Sequence, residues 1–158
     1  MSFPLPEPMR LALAEARAAA EVGEVPVGAV VMREGEPIAV SRNRMRDGSD
    51  PTAHAEMVAL RAAAATLGTS RLDGCDLWVT LEPCAMCAGA IALARISRLY
   101  FGAPDPKGGA VLHGPRLFGQ PTCHHAPEIY PGIGEREAGE LLRRFFAERR
   151  VGPGDDSA

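Results

Sequence analysis

Several things are scarce in this sequence, and each scarcity excludes something. No apolar run reaches eighteen residues, so no segment has the length and composition of a membrane-spanning helix. The opening residues, Met1-Ser2-Phe3-Pro4-Leu5-Pro6-Glu7-Pro8, lack the basic start and apolar stretch of a secretion signal. Positive charge is not in excess: 17 Lys and Arg stand against 20 Asp and Glu, a formal net charge of −3. That balance excludes a protein that coats nucleic acid indiscriminately, while leaving room for a local basic patch able to hold a small RNA. Lysine is nearly missing, with Lys107 as its single representative, a skew towards arginine that carries little functional weight. Cysteine is limited to four residues, two of them at metal-type spacing, which points to a reducing cytoplasm rather than a disulfide framework.

What remains is ordinary for a soluble globular chain: 158 residues, 46% hydrophobic and 23% charged. The expectation is a single domain over residues 1–158, with a core over about 9–150 and a frayed tail at 151–158. Periodicity predicts a helix from about Met9 to Glu21, with Met9, Leu13, Ala16 and Ala20 on one face. Val25 to Met32 reads as a buried strand, and Ile38-Ala39-Val40 as its hairpin partner across the turn at Arg33–Pro37. Arg42 to Asp50 is a polar loop. Thr52 is placed to cap a helix ending at Gly68, with Met57, Leu60, Ala64 and Leu67 as its buried stripe. Leu77 to Leu81 is a third strand. Pro83 suits the first position of a helix from Cys84 to about Arg95, whose small and apolar composition predicts burial. Leu99-Tyr100-Phe101 is a fourth strand, Gly102 to His125 an irregular excursion, Glu128-Ile129-Tyr130 a short strand, and Gly134 to Arg150 a closing helix. Alternating strands and helices of this kind give an α/β sandwich.

The chemistry concentrates in two places. His54-Ala55-Glu56 sets a carboxylate two residues after a histidine, and Pro83-Cys84-Ala85-Met86-Cys87 follows about thirty residues later. One imidazole and two thiolates make three zinc ligands and leave a fourth position for water, the arrangement of catalytic rather than structural zinc. Both motifs stand at helix starts, where the helix dipole and free N–H groups favour thiolates at Cys84 and Cys87. Glu56 diverges from His54 on a helix, so it is placed to carry protons beside the metal rather than to bind it. Taken singly, the C-x-x-C would be a redox pair or half a zinc ribbon, and Glu56 a dipole-favoured acid in a first helical turn. Cys75 reads as packing and His113 as a loop residue. Cys123-His124-His125 suggests a second metal site, or a segment that supports the first site or contacts substrate.

H-A-E followed by T-L-E-P-C-x-M-C-A-G-A resembles the zinc nucleoside and nucleobase deaminases, and more narrowly the bacterial tRNA-specific adenosine deaminases. Further likeness lies in Glu24–Val30, Asp50–Glu56, Val79–Cys84, Phe101-Gly102-Ala103 with Asp105 and Lys107, and the Phe145-Phe146 and Arg149-Arg150 ending. The resemblance implies a three-layer α/β/α sandwich with a central mixed sheet of about five strands. It implies one Zn²⁺ per subunit held by His54, Cys84 and Cys87, with Glu56 as catalytic proton shuttle. It implies a cytoplasmic homodimer in which zinc hydroxide attacks C6 of the wobble adenine of a tRNA anticodon stem-loop, with neither DNA nor membrane as partner. Asn43 resembles the family's pocket asparagine, Asp105 and Lys107 its anticodon-loop contacts, and His125 its loop histidine. Arg42, Arg44, Arg46, Arg149 and Arg150 are candidate phosphate contacts. The chain departs from the family's common pattern at Gly108–Pro115 and at His124, which stands where the family has Asn. That departure bears on substrate choice, and deamination of a free base such as guanine or cytosine is the alternative.

Overall fold

Antiparallel and parallel pairing meet on a single strand in the computed structural model, which describes residues 4–151. Strand β1 (Gly28–Arg33) pairs antiparallel with β2 (Glu36–Arg42) and, on its other edge, antiparallel with β3 (Cys75–Leu81). Strand β3 then pairs in parallel with β4 (Arg98–Ala103), and β4 with the short β5 (Glu128–Tyr130). The sheet order is β2-β1-β3-β4-β5. Helices α1 (Glu7–Glu21) and α4 (Glu135–Val151) cover one face, and α2 (Ala55–Leu67) and α3 (Ala85–Ala94) the other. This is the expected α/β/α sandwich with five strands. The tail beyond Val151 and the Arg150 side chain lie outside the described residues.

Period-two alternation sorts the strand residues between two cores. Ala29 and Val31 join Leu77, Val79, Leu99 and Phe101 under α2 and α3, whereas Val30 turns to Met9, Ala12 and Leu13 of α1. Each fully buried large side chain, such as Ile91, Leu99 or Phe101, stabilises by about 1.5–3 kcal/mol relative to exposure. Helix α1 crosses β1 so closely that a Cβ on Gly28 would lie 1.9 Å from the Ala12 carbonyl oxygen, and only glycine fits there. On β5 the strand is pinned by stacking across the register: Trp78 lies on Tyr100 at 3.8 Å between ring centroids, and Tyr100 on Tyr130 at 4.8 Å.

Four local expectations are corrected. Pairing on β1 starts at Gly28 rather than Val25, since Pro26 has no N–H to give a neighbour. Thr52 does not cap α2; its hydroxyl donates to Asp50 Oδ1, and His54 is the residue before the helix. The buried stripe of α2 is Ala55, Ala59, Leu60 and Ala63, with Met57, Ala64 and Leu67 only half-buried at its margins. Alanines let the helix lie close on the sheet and turn the larger residues to the flanks. Helix α3 buries Cys87, Ala88 and Ile91 on one face only, and Leu93 is 83% exposed on the other among the described residues.

Candidate active site

The N-termini of α2 and α3 converge beyond the carboxyl end of β3, a common place for sites in α/β sheets. His54 and Cys84 are the residues that immediately precede the two helices, and Cys87 lies in the first turn of α3. His54 Nδ1 stands 3.6 Å from Cys84 Sγ and 3.6 Å from Cys87 Sγ. Among the described residues these three form the group whose ligand atoms, all within 4.8 Å of one another, are able to share an ion. A tetrahedral zinc with Zn–S near 2.3 Å and Zn–N near 2.0–2.1 Å requires an N···S separation of about 3.6 Å. The donor set and its spacing therefore fit zinc with one position open.

The electrostatics favour a thiolate at Cys84 over Cys87. Hydrogen bonding from the Cys87 thiol, aided by His54, brings the Cys84 thiol down to about 4, while donating that bond and being buried push the Cys87 thiol up. The bond to Cys84 also raises the His54 imidazole. Glu56 is 4% exposed, and burial, the largest effect, pushes its carboxyl up to about 7. A carboxyl poised near neutrality both accepts and returns a proton at modest cost.

These groups open into a cavity of about 280 Å³. Val25, Val27, Met45 and Leu81 form apolar walls, and Asn43, His54, Glu56 and Asp105 supply polar groups. Asn43 is buried, and its Oδ1 accepts the Ala55 N–H at 2.7 Å. Asp105 and Gly108 reach the cavity from the segment after β4, and Lys107 sits exposed on the same segment. Arg42, Arg44 and Arg46 line an adjoining cavity that shares Asn43. Arg44 and Arg42 also pair with Asp47 and Glu15, at 2.8 and 3.5 Å. Arg149 is used internally, packing over the Phe145 ring at 4.3 Å and donating to the Gly23 carbonyl.

His125 does not join the pocket. Its Nε2 lies 2.7 Å from the Ile96 carbonyl oxygen, and with Cys123 and His124 it lines a separate cavity of about 310 Å³ against the outer face of α3. The place open to His125 as a substrate contact is therefore this outer cavity rather than the metal pocket. The Cys123 Sγ also turns to the His125 carbonyl at 3.1 Å. Two acids escaped the sequence reading. Glu24 is buried and accepts the Arg46 and Asp47 N–H groups at 2.6 and 2.9 Å, tethering the loop that carries Asn43 and Met45. Glu82 is buried beside Cys84 and binds the segment that carries Asp105. The available signal was an acid set among apolar neighbours at a strand end, where solvent gives no reason for one.

The family described as the cytidine and deoxycytidylate deaminase zinc-binding region matches residues 5–103. The chain belongs to this family. The tRNA-specific adenosine deaminase of Agrobacterium fabrum is 59% identical over 143 residues, covering 90% of this chain and 94% of that protein. A structure solved in studies of A-to-I editing by tRNA:A34 deaminases at the wobble position superposes with a TM-score of 0.85 at 59% identity, covering 85% of this chain and 98% of that one. The guanine deaminase of Nitrosomonas europaea shares the zinc deaminase fold at 27% identity and TM-score 0.73, covering 93% and 87%. One zinc ion per subunit suits both the family and the His54, Cys84 and Cys87 trio.

Proposed function

We propose that this zinc deaminase converts the wobble adenosine of a tRNA anticodon to inosine. The observation that carries the reading is a three-ligand metal site with a buried glutamate beside it, inside a cavity fit for one nucleobase, on a chain 59% identical to a tRNA-specific adenosine deaminase over nine-tenths of its length. The same site would suit a free base, but the 27% identity to a guanine deaminase supports that alternative far less.

His54, Cys84 and Cys87 would hold the zinc, which when bound supplies the Lewis acidity that brings water's ionisation near neutral pH. Glu56 takes the proton released as water attacks C6 of adenine, passes it to the ring nitrogen beside C6, and serves the departing amino group. The water oxygen becomes the C6 oxygen of inosine, and nitrogen leaves as ammonia. The Asn43 NH₂ group orients the nucleoside, and Val25, Val27, Met45 and Leu81 exclude competing water. A base inside a folded anticodon reaches such a pocket only by leaving its stack, so the walls must hold a flipped nucleotide. Asp105 and Lys107, with Arg42, Arg44 and Arg46, contact the flanking RNA, the arginines and the lysine through phosphates.

A homodimer fits this reading, with a second copy covering Leu93 on the bare face of α3. A tRNA substrate implies action in the cytoplasm, and among the described residues no helix is long and apolar enough to cross a membrane. The test is a competition assay in which an adenosine-wobble stem-loop is mixed with free guanine, cytosine, adenine and their nucleosides, with products read by mass. Inosine in the RNA alone is the expected result. Deamination of a free base with the stem-loop untouched would replace this reading with nucleobase salvage.

A further inference from the structure

We propose that Glu82 is a positioning residue for the substrate pocket: its buried carboxylate fixes the segment from Asp105 to His113 against the metal site. The proposal rests on the deaminase reading above. Glu82 leaves the end of β3, and its own N–H donates to the Ala103 carbonyl at 2.9 Å, tying the ends of β3 and β4 together. Its side chain is fully buried. Oε1 accepts the Asp105 N–H at 3.0 Å and lies 2.8 Å from His113 Nδ1. Oε2 accepts the N–H groups of Val111 at 3.2 Å, Leu112 at 3.0 Å and His113 at 3.2 Å. An ionised carboxylate offers about four lone-pair sites, so four backbone N–H groups saturate it.

This one group replaces a missing ladder. Residues 105–113 belong to no helix or strand, so their N–H groups need partners from elsewhere. The segment also folds on itself: Asp105 Oδ1 accepts the N–H groups of Lys107 and Gly108 at 3.2 and 3.0 Å, and the Asp105 carbonyl accepts that of Gly109 at 2.8 Å. Gly109 lies directly on the carboxylate, and a Cβ there would stand 2.5 Å from Glu82 Cδ and 2.5 Å from the Asp105 carbonyl oxygen. Only glycine therefore lets the segment seat.

The placement explains why the anchor matters to the site. Glu82 is separated from Cys84 by Pro83 alone, so one rigid stretch carries both a metal ligand and the anchor of the opposite wall. Asp105 and Gly108 face the cavity shared with Asn43 and Glu56. Releasing the anchor would let that wall drift relative to the metal while the ligands stay in place, so the wall would hold the stem-loop less well at an unaltered reacting centre.

The test compares zinc-loaded wild type with Glu82→Gln and Gly109→Ala, using stem-loop kinetics, zinc content and amide hydrogen exchange. Glu82→Gln sets an NH₂ group against backbone donors, and Gly109→Ala unseats the segment without altering the acid. In both variants zinc content should hold and the amides of 105 and 111–113 should exchange faster while those of α3 do not. The KM for the stem-loop should rise about tenfold, with kcat changed by no more than about threefold. If Glu82→Gln fails to fold, Gly109→Ala decides alone. An unaltered KM, or equal loss of zinc and exchange protection throughout the domain, would overturn the proposal in favour of a purely structural acid. Should wild type leave the stem-loop untouched, the substrate reading fails by itself, and unaltered exchange at 105 and 111–113 in the variants would separately overturn the anchor.

Discussion

Asn43 Oδ1 accepts the Ala55 N–H at 2.7 Å, so the residue that lines the pocket from the loop also ties down the first residue of α2, directly after His54. The oxygen is engaged with α2 and the NH₂ group is the one proposed to meet the nucleoside, and the two roles separate by substitution. Asn43→Asp keeps an acceptor at a helix N-terminus, where negative charge is favourable, and removes the donor. It should retain the bond to α2, since Asp and Asn serve about equally at a helix N-terminus, while kcat/KM falls by one to two orders of magnitude, or roughly 1.4–2.7 kcal/mol. Asn43→Ala removes both groups and should in addition lose about 1 kcal/mol of stability. Denaturant unfolding beside steady-state kinetics distinguishes the two. Equal activity losses with equal stability losses would show that the amide acts only as a helix cap.

His54, Cys84 and Cys87 sit at helix N-termini with an N···S spacing that suits tetrahedral zinc, so zinc held there would couple metal affinity to fold stability. Cys84→Ser and Cys87→Ser should each lose zinc and lower the unfolding midpoint. The Cys87 variant should suffer more, because Cys87 is fully buried and its replacement leaves a hydroxyl in an apolar helix face. Elemental analysis of the purified variants is the check, and a full complement of zinc in either would remove that cysteine from the ligand set.

Glu56 is buried and close to the cysteines, yet it is the acid left outside the ligand trio. Glu56→Gln preserves its shape and removes its capacity to move protons. The expected outcome is wild-type zinc content and fold, with kcat reduced by roughly 10²–10⁴. Turnover near that of wild type would exclude it as the proton carrier.

Much of this site was legible because its chemistry is local in sequence. His54 and Glu56 share one helix start, Cys84 and Cys87 another, and apolar runs on either side marked the strands that aim them. Exposed polar loops and small-residue helices were less legible. The stripe of α2 was misplaced because alanine carries too little hydrophobicity to mark its face, so Met57 and Leu67 outweighed Ala59 and Ala63. Leu93 was expected inside because α3 is apolar all round, a pattern that cannot say which face lacks a neighbour. His125 was assigned by its place in a family pattern, which gave no sign that its ring is held by the Ile96 carbonyl and lines a cavity apart from the metal pocket. Glu24 and Glu82 were missed because their partners are backbone N–H groups more than twenty residues away, and main-chain donors leave no mark in a sequence.

Asp50 gives the fold an acid-side pH dependence. Its Oδ1 accepts the Thr52 hydroxyl at 2.7 Å and the Thr52 N–H at 2.9 Å, and these bonds, the hydroxyl first, hold its carboxyl below the ordinary value of 3.8. A folded-state pKa below the unfolded one stabilises the fold above the unfolded value, and the contribution is lost as pH falls through the folded value. The difference in unfolding free energy between wild type and Asp50→Asn should therefore be constant above about pH 5 and shrink below about pH 4. Urea titrations at several pH values measure it. A difference independent of pH would mean that the ionised carboxylate contributes nothing to the turn before His54.

Lys107 stands exposed on the segment that forms one wall of the pocket, and its backbone N–H is fixed by Asp105 Oδ1 at 3.2 Å. Its ammonium is therefore carried on a held backbone, on the same segment as the pocket residues Asp105 and Gly108, and the proposed function gives it an RNA phosphate to meet. With a formal charge of −3 the protein as a whole repels polyanions, so individual cations near the site matter more than the global field. Each phosphate neutralised on a single strand contributes about −0.7 to the slope of log affinity against log salt. Lys107→Ala should accordingly weaken stem-loop binding several-fold at low salt and make the slope shallower by about 0.7. Zinc content should not change, and neither should kcat at saturating RNA, because the side chain lies outside the reacting centre. Binding isotherms at three or more salt concentrations give the slope directly. A parallel displacement of the line, with its slope intact, would mean that Lys107 shapes the segment without touching phosphate.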